Sequence, residues 1–232
     1  MKKTLFILLI LCSIVTFAQD KKTDPTTSKT VVKTDAQKWK VRLRAIAAIP
    51  QPSATIGVIG GGINISNSYV PELDFTYYLS KYFAAELILG TTHHSVNTTA
   101  SNLSALGISQ PTNVDLGKVW LLPPTLNLQY HIPTTSGFEP YIGAGVNYTI
   151  FYGVDHGTTV NGVSYQNKFG TSLQIGFDYN ISKNCFLNVD VKKIFLKTNA
   201  TVDASNLAKG LSIPADVTIN PWVIGIGIGT RF

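Results

Sequence analysis

From Trp39 to the end of the chain, apolar and polar residues alternate in short stretches closed by Gly, Asn, Ser, Pro or Lys. Successive side chains on a strand point to opposite faces, so a period of two marks strands, and no stretch sustains the longer period of a helix. Eight strands are expected, at 38–49, 72–79, 83–91, 118–131, 138–152, 168–179, 185–196 and 218–232. Their connections alternate in length. Residues 80–82, 133–137 and 182–184 are short turns, whereas 50–71, 92–117, 153–167 and 197–217 are long. That asymmetry belongs to outer-membrane barrels, whose turns are short on the periplasmic side and longer outside. The expected fold is all-β: an eight-stranded antiparallel transmembrane β-barrel with short periplasmic turns and long extracellular loops.

The start of the chain agrees with export. Lys2-Lys3, an apolar run over 5–15 and the small residues Thr16 and Ala18 form a secretory leader, with cleavage expected after Ala18. Leu11 before Cys12 is a poor fit to a lipidation site. Beyond the leader, no run is long and apolar enough for a transmembrane helix. Loss of Cys12 leaves only Cys185, so no intramolecular disulfide is expected. The expected division is 1–18 leader, 19–37 flexible polar periplasmic tail and 38–232 barrel. The tail is rich in Lys, Thr and Asp and has too little apolar surface to order itself.

Face assignment follows from where the charges fall. In 72–79, Leu73, Phe75, Tyr77 and Leu79 share one face; in the last strand, Trp222, Ile224, Ile226 and Ile228 oppose Gly225, Gly227, Gly229 and Arg231. A soluble sandwich would turn such apolar faces inward. An exported barrel turns them to lipid, which places Lys40, Arg42, Arg44, Glu72, Asp74, Glu86, Glu139, Asp178, Asp190, Lys192 and Arg231 inside. A basic side chain facing mid-membrane lipid costs roughly 2–4 kcal/mol. These ions are read as a structural network shaping and partly plugging the lumen. Gly143 and Gly145 join the inward glycines as room-makers.

Three stretches carry a resemblance. Leu122-Pro123-Pro124-Thr125-Leu126, then residues 138–149 with Pro140-Tyr141-Ile142-Gly143-Ala144-Gly145, and the end from Asn220-Pro221-Trp222 to Phe232 resemble the outer-membrane protein W (OmpW) family. Phe75-Thr76-Tyr77 and the stretch 169–179 add to it. The resemblance covers the mature chain apart from the tail and loop interiors. It implies an eight-stranded monomeric barrel in the cell outer membrane with a narrow apolar channel for small hydrophobic solutes. It also implies a pinch formed by inward side chains of strands three and seven, matching Ile88 and Lys192. Ile88 fits; Lys192 stands where a bulky aromatic is expected. Phe232 after Arg231 resembles the signal read by the barrel-assembly machinery.

Other features have plainer readings. Pro123 and Pro124 each remove a ladder donor, which first suggests a bend and, as a functional alternative, a lateral gap toward lipid. His93 and His94 are expected as polar rim in a loop; adjacent strand residues point apart, and no zinc spacing accompanies them. Gly60-Gly61-Gly62 lacks the Lys and helix of a phosphate cradle. The net charge of +6 comes mainly from lysines without interleaved aromatics, so nucleic acid is not an expected partner. Lipopolysaccharide at a basic rim, outer-membrane lipids and small hydrophobic solutes are. No cofactor, metal or catalytic residue is expected. Competing functions are a structural or adhesive surface protein and, less favoured, a lipid-modifying enzyme using Ser95 with His93 or His94.

Overall fold

The computed structural model describes residues 37–232 apart from 58, 103, 105–109 and 207. The expected leader and nearly all of the tail lie outside those residues. The chain runs up and down as eight antiparallel arms, most of them bent once. β1 (Trp39–Ile49) continues past Pro50 and Pro52 as β2 (Ser53–Ile56), and β3 (Gly62–Ile65) returns into β4 (Ser68–Tyr78). β5 (Phe83–Gly90) rises into β6 (Thr92–Thr99), and β7 (Asp115–Leu122) descends across Pro123-Pro124 into β8 (Thr125–His131). β9 (Phe138–Asp155) is unbroken, and β10 (Gly162–Tyr165) leads into β11 (Lys168–Asn180). β12 (Cys185–Phe195) runs into β13 (Lys197–Asp203), and β14 (Ser212–Thr218) into β15 (Trp222–Arg231).

The periplasmic halves close a ring in the order β1-β4-β5-β8-β9-β11-β12-β15, with β15 pairing back onto β1. A closed ring satisfies every ladder group from within, the condition for strands in hydrocarbon. Outside it, Ile226, Ile175, Leu128 and Val146 are more than half exposed. That apolar surface is what a lipid-facing band requires. Aromatic side chains mark its two edges. Trp39, Phe83, Tyr130 and Phe138 lie at the periplasmic edge, and Trp120, Tyr152, Phe169 and Trp222 at the outer one. Trp39 to Ile49 on β1 spans the band, about 25 Å at the usual tilt.

Beyond the outer belt the ring divides. Four strands form the separate sheet β10-β13-β14-β2, while β9, β7, β6 and β3 continue as the other wall. No ladder joins β2 to β3, or β9 to β10, among the described residues. Val96, Val114, Val119, Val202 and Ile213 pack between the two walls as an apolar core. The long connections outside the ring are therefore part strand and part loop. Their period of two persists, but water replaces lipid outside. β13 turns Thr198, Ala200 and Val202 inward while Lys197, Thr201 and Asp203 face solvent. Polar outer positions there resemble loop composition in a one-dimensional reading. His93 and His94, expected in a loop, sit in β6 for the same reason.

The boundary between barrel and walls follows the bends. Asn220 adopts a left-handed φ of 39° before Pro221, and its side-chain oxygen accepts from the Leu196 amide at 2.9 Å. The β12–β13 and β14–β15 bends are thereby tied together. Substituting Ile226, midway along the lipid face of β15, by Arg is expected to lower stability by about 2–4 kcal/mol. Thr201→Arg on the watered face of β13 is expected to leave it within about 0.5 kcal/mol. Urea titration of folding into phospholipid vesicles compares the two.

Candidate functional site

The register builds the lumen's main feature. In the β1–β4 ladder, Arg42 stands opposite Asp74 and Arg44 opposite Glu72, all on the inward face. Arg42 Nε lies 2.6 Å from Asp74 Oδ1, and its Nη2 lies 2.8 Å from Glu86 on β5. Arg44 Nη2 reaches Asp74 at 2.9 Å and Glu86 at 3.2 Å, while its Nη1 is 3.5 Å from Asp190. Arg44 Nε lies 3.0 Å from Glu72, close enough for charge pairing but not aligned as a hydrogen bond. Lys192 pairs with Glu72 and Asp190, both at 2.9 Å. Toward the periplasm, Lys40 pairs with Asp178 at 2.8 Å and Glu139 at 3.1 Å, and Arg231 meets Glu139 at 3.0 Å.

Neutral groups complete the network. Gln174 donates to Glu86 and Asp190, Asn188 donates to Asp178, and the Tyr141 hydroxyl donates to Asp190. Buried charges without partners are expensive, so each added hydrogen bond offsets desolvation. Glycines on the inward faces make room for these chains. A Cβ on Gly227 would meet Arg44, on Gly229 Phe186 and Arg42, and on Gly143 Gln174. Arg42, Asp74, Glu86 and Asp178 are fully buried, so the network fills the bore at this level.

Above it the lumen changes character. A narrow cavity has Ile46, Ile88, Ile194 and Val223 among its walls, with Glu72 and Lys192 as its charged members. It shares Leu121, Ile219 and His94 with a second cavity, which shares Ile63, Tyr165 and Val217 with a third inside the outer walls. The third is lined almost wholly by apolar side chains. Burial in this setting, outside the membrane band, pushes the Tyr165 phenol up to about 12.

Beside the lowest cavity the wall is interrupted. The β5–β8 ladder ends at Ile88–Thr125, and the β6–β7 ladder resumes only at Thr92–Leu121. Pro123 and Pro124 supply no amide donors to bridge the gap. On the other side of β5 the ladder to β4 ends at Glu72–Gly90, next to Pro71. Gly90, Thr92, Pro123 and Thr125 all line the cavity. The Pro124 carbonyl still accepts from Tyr148 on β9, so that side of the strand stays paired.

The structure brings Arg42, Arg44, Glu86, Asp178, Asp190 and Lys192 into one network, with Glu139 at its periplasmic rim. Ile88 and Lys192 line the same cavity, but Lys192 is held by two carboxylates. Phe232 exchanges backbone hydrogen bonds with Trp39 at 3.0 and 3.1 Å, completing the closure of β15 on β1. Asn127, Tyr141, Gln174 and Asn188 were not singled out in the sequence, though all sit on the inward phase of their strands. The criterion of charge did not reach them, although an unpaired amide or hydroxyl facing hydrocarbon would also cost several kcal/mol. His93 and His94 turn to opposite sides of β6. His93 stacks on Trp120 with centroids 4.4 Å apart, while His94 turns inward and bonds the Ser66 carbonyl at 2.6 Å. No acidic side chain bonds either one among the described residues. No group of three or more His, Cys, Asp or Glu side chains is arranged to hold a metal ion among those residues.

Comparison with known proteins decides the family, because the OmpW family model matches residues 25–232. The chain belongs to the OmpW family. An uncharacterised outer-membrane protein of Sinorhizobium fredii is 40% identical over 195 residues, covering 84% of this chain and 80% of that protein. The dibenzothiophene metabolism operon protein PahQ of Pseudomonas aeruginosa is 30% identical over 75% of this chain and 77% of its own length. The crystal structure of the outer membrane protein OprG from Pseudomonas aeruginosa superposes with a TM-score of 0.75 at 26% identity, covering 85% of this chain and 96% of that one. This chain is accordingly an outer-membrane β-barrel in contact with membrane lipid.

Arg44 touches four carboxylates, so Arg44→Met is expected to destabilise the barrel by about 3–5 kcal/mol, the scale for stripping one partner from a buried ion network. Asp216→Asn, on an exposed face of β14, is expected to change stability by less than about 0.5 kcal/mol. Urea midpoints in vesicles measure both.

Proposed function

We propose that this OmpW-family barrel is a passive conduit or binding barrel for small hydrophobic molecules, which enter from the outer face and leave sideways into lipid. One observation carries the reading. The apolar outer lumen stops on an ionic floor at the level where Pro123 and Pro124 interrupt the wall.

The physical argument is a comparison of exits. Onward passage toward the periplasm would require an apolar solute to separate paired buried charges, each costly to leave uncompensated. Passage through the wall places it in hydrocarbon, where it gains about 0.8 kcal/mol per CH₂ removed from water. Ladder hydrogen bonds are what resist parting two strands, and none joins residues 89–91 to residues 122–124. The name of the dibenzothiophene-operon relative, which points to an apolar aromatic, supports the same class of cargo. In this reading Ile88 and Lys192 bound the point where the solute turns, and Arg42, Arg44, Glu86, Glu139, Asp178 and Asp190 keep the periplasmic side shut. The barrel works as a monomer, with Phe232 serving its recognition by the barrel-assembly machinery and lipopolysaccharide meeting its basic rim.

Liposomes carrying the protein are expected to take up a fluorescent apolar aromatic faster than empty ones. Pro123→Val with Pro124→Thr restores two ladder donors and is expected to slow that uptake at least fivefold. The barrel should keep its heat-dependent shift on gels. Unchanged uptake by the folded variant removes the lateral exit; equal uptake by empty liposomes removes the conduit.

A further inference from the structure

The floor of the apolar lumen offers one donor and one acceptor. Lys192 Nζ donates to Glu72 Oε1 and Asp190 Oδ1, both at 2.9 Å. An ammonium has three donors, so one remains for the cavity that Lys192 lines. Glu72 Oε1 is shared between Lys192 and Arg44. Among the described residues no protein donor reaches its second oxygen, Oε2. Glu72 also lines the cavity and keeps 5% of its surface exposed. Directly above stand Ile46, Ile88, Ile194 and Val223. The geometry is that of an amphiphile's binding site in miniature, polar at the base and apolar upward.

We infer that this cavity prefers an apolar molecule carrying a single neutral hydroxyl, its oxygen accepting from Lys192 and its proton donated to Glu72 Oε2. The inference rests on the hydrophobic-solute reading and narrows it from hydrocarbons to alcohols. A neutral head follows from the charges already present. The network holds five basic groups (Lys40, Arg42, Arg44, Lys192, Arg231) and six acidic ones (Glu72, Asp74, Glu86, Glu139, Asp178, Asp190). A carboxylate head would add an anion to a set already in acidic excess. An ammonium head would shed its hydration in an apolar cavity beside Lys192. A hydroxyl adds no charge and fills both vacant hydrogen-bonding positions. An ether of the same length fills only one.

Equilibrium dialysis of radiolabelled ligands against nanodiscs with and without the full mature chain tests this. 1-Octanol, octyl methyl ether, n-octane and octanoate are compared at pH 7. The alcohol is expected to bind about tenfold more tightly than the ether, as a hydrogen bond to a charged group allows. Its binding should shift the Gly90 and Thr92 amide resonances in ¹⁵N-labelled protein. In Glu72→Leu/Lys192→Met, which removes one charge of each sign, the alcohol-to-ether ratio should fall to about one with ether binding retained. The native chain's ligand series decides the matter even if that variant does not fold. Equal binding of alcohol and ether, or octanoate binding as tightly as octanol, overturns the inference while leaving the hydrophobic-solute reading intact. Failure of all three neutral ligands to bind above empty nanodiscs overturns both.

Discussion

A ring of strands in hydrocarbon can place its charges only inward, and here the inward charges are arranged so that they satisfy one another. Lys40, Arg42 and Arg44 alternate along β1, and Glu72 and Asp74 answer the two arginines from the neighbouring strand. The rest of the structure depends on that register. A one-residue slip of β4 would turn Glu72 and Asp74 to lipid and Leu73 and Phe75 into the bore. Register, closure and plug are therefore one problem. Glycines on β15 and β9 belong to it as well, since the long guanidinium and amide side chains cross the bore over backbone that carries no Cβ.

The plug divides the lumen into two chemical worlds. On the periplasmic side lie ions, amides and a mouth bordered by Lys38, Lys81 and His131. On the outer side lie stacked apolar cavities between two walls that diverge from the closed ring. A wide pore would have the reverse distribution, polar throughout and open at both ends. The interruption at Pro71, Gly90 and Pro123-Pro124 sits at the border between the two worlds. Three prolines without amide donors cluster there, where the neighbouring arms are held by side-chain contacts rather than by a ladder. Thr91, for example, bonds the Leu121 carbonyl through its hydroxyl at 3.2 Å.

Lys192 shows how a single position alters what such a lumen offers. The resemblance to the family placed a bulky aromatic there, which would have closed the outer lumen with an apolar base. Lysine instead extends the ionic network upward to Glu72 and presents polarity to the cavity. Its charge is tolerated because Asp190, two residues earlier on the same face of β12, is in reach at 2.9 Å.

The sequence by itself determined the strand-and-turn texture, the short periplasmic turns and the inward phase of every charge in the network. Each of these is a local period of two combined with the cost of charge in lipid, and both can be read in one dimension. It also placed a bend at Pro123-Pro124, since proline lacks its donor in any fold; the structure turns that bend into a break between β7 and β8. Only the tertiary structure decided which inward ions meet. Arg44 finds Asp190 across 146 positions of chain, through strand order and barrel closure rather than any local pattern. Nor could a linear reading separate watered strands from loops, because β6 and β13 carry the Ser, Thr and Asn that loops also use. The division of the lumen into a charged plug and an apolar outer half came from where those strands stack in space.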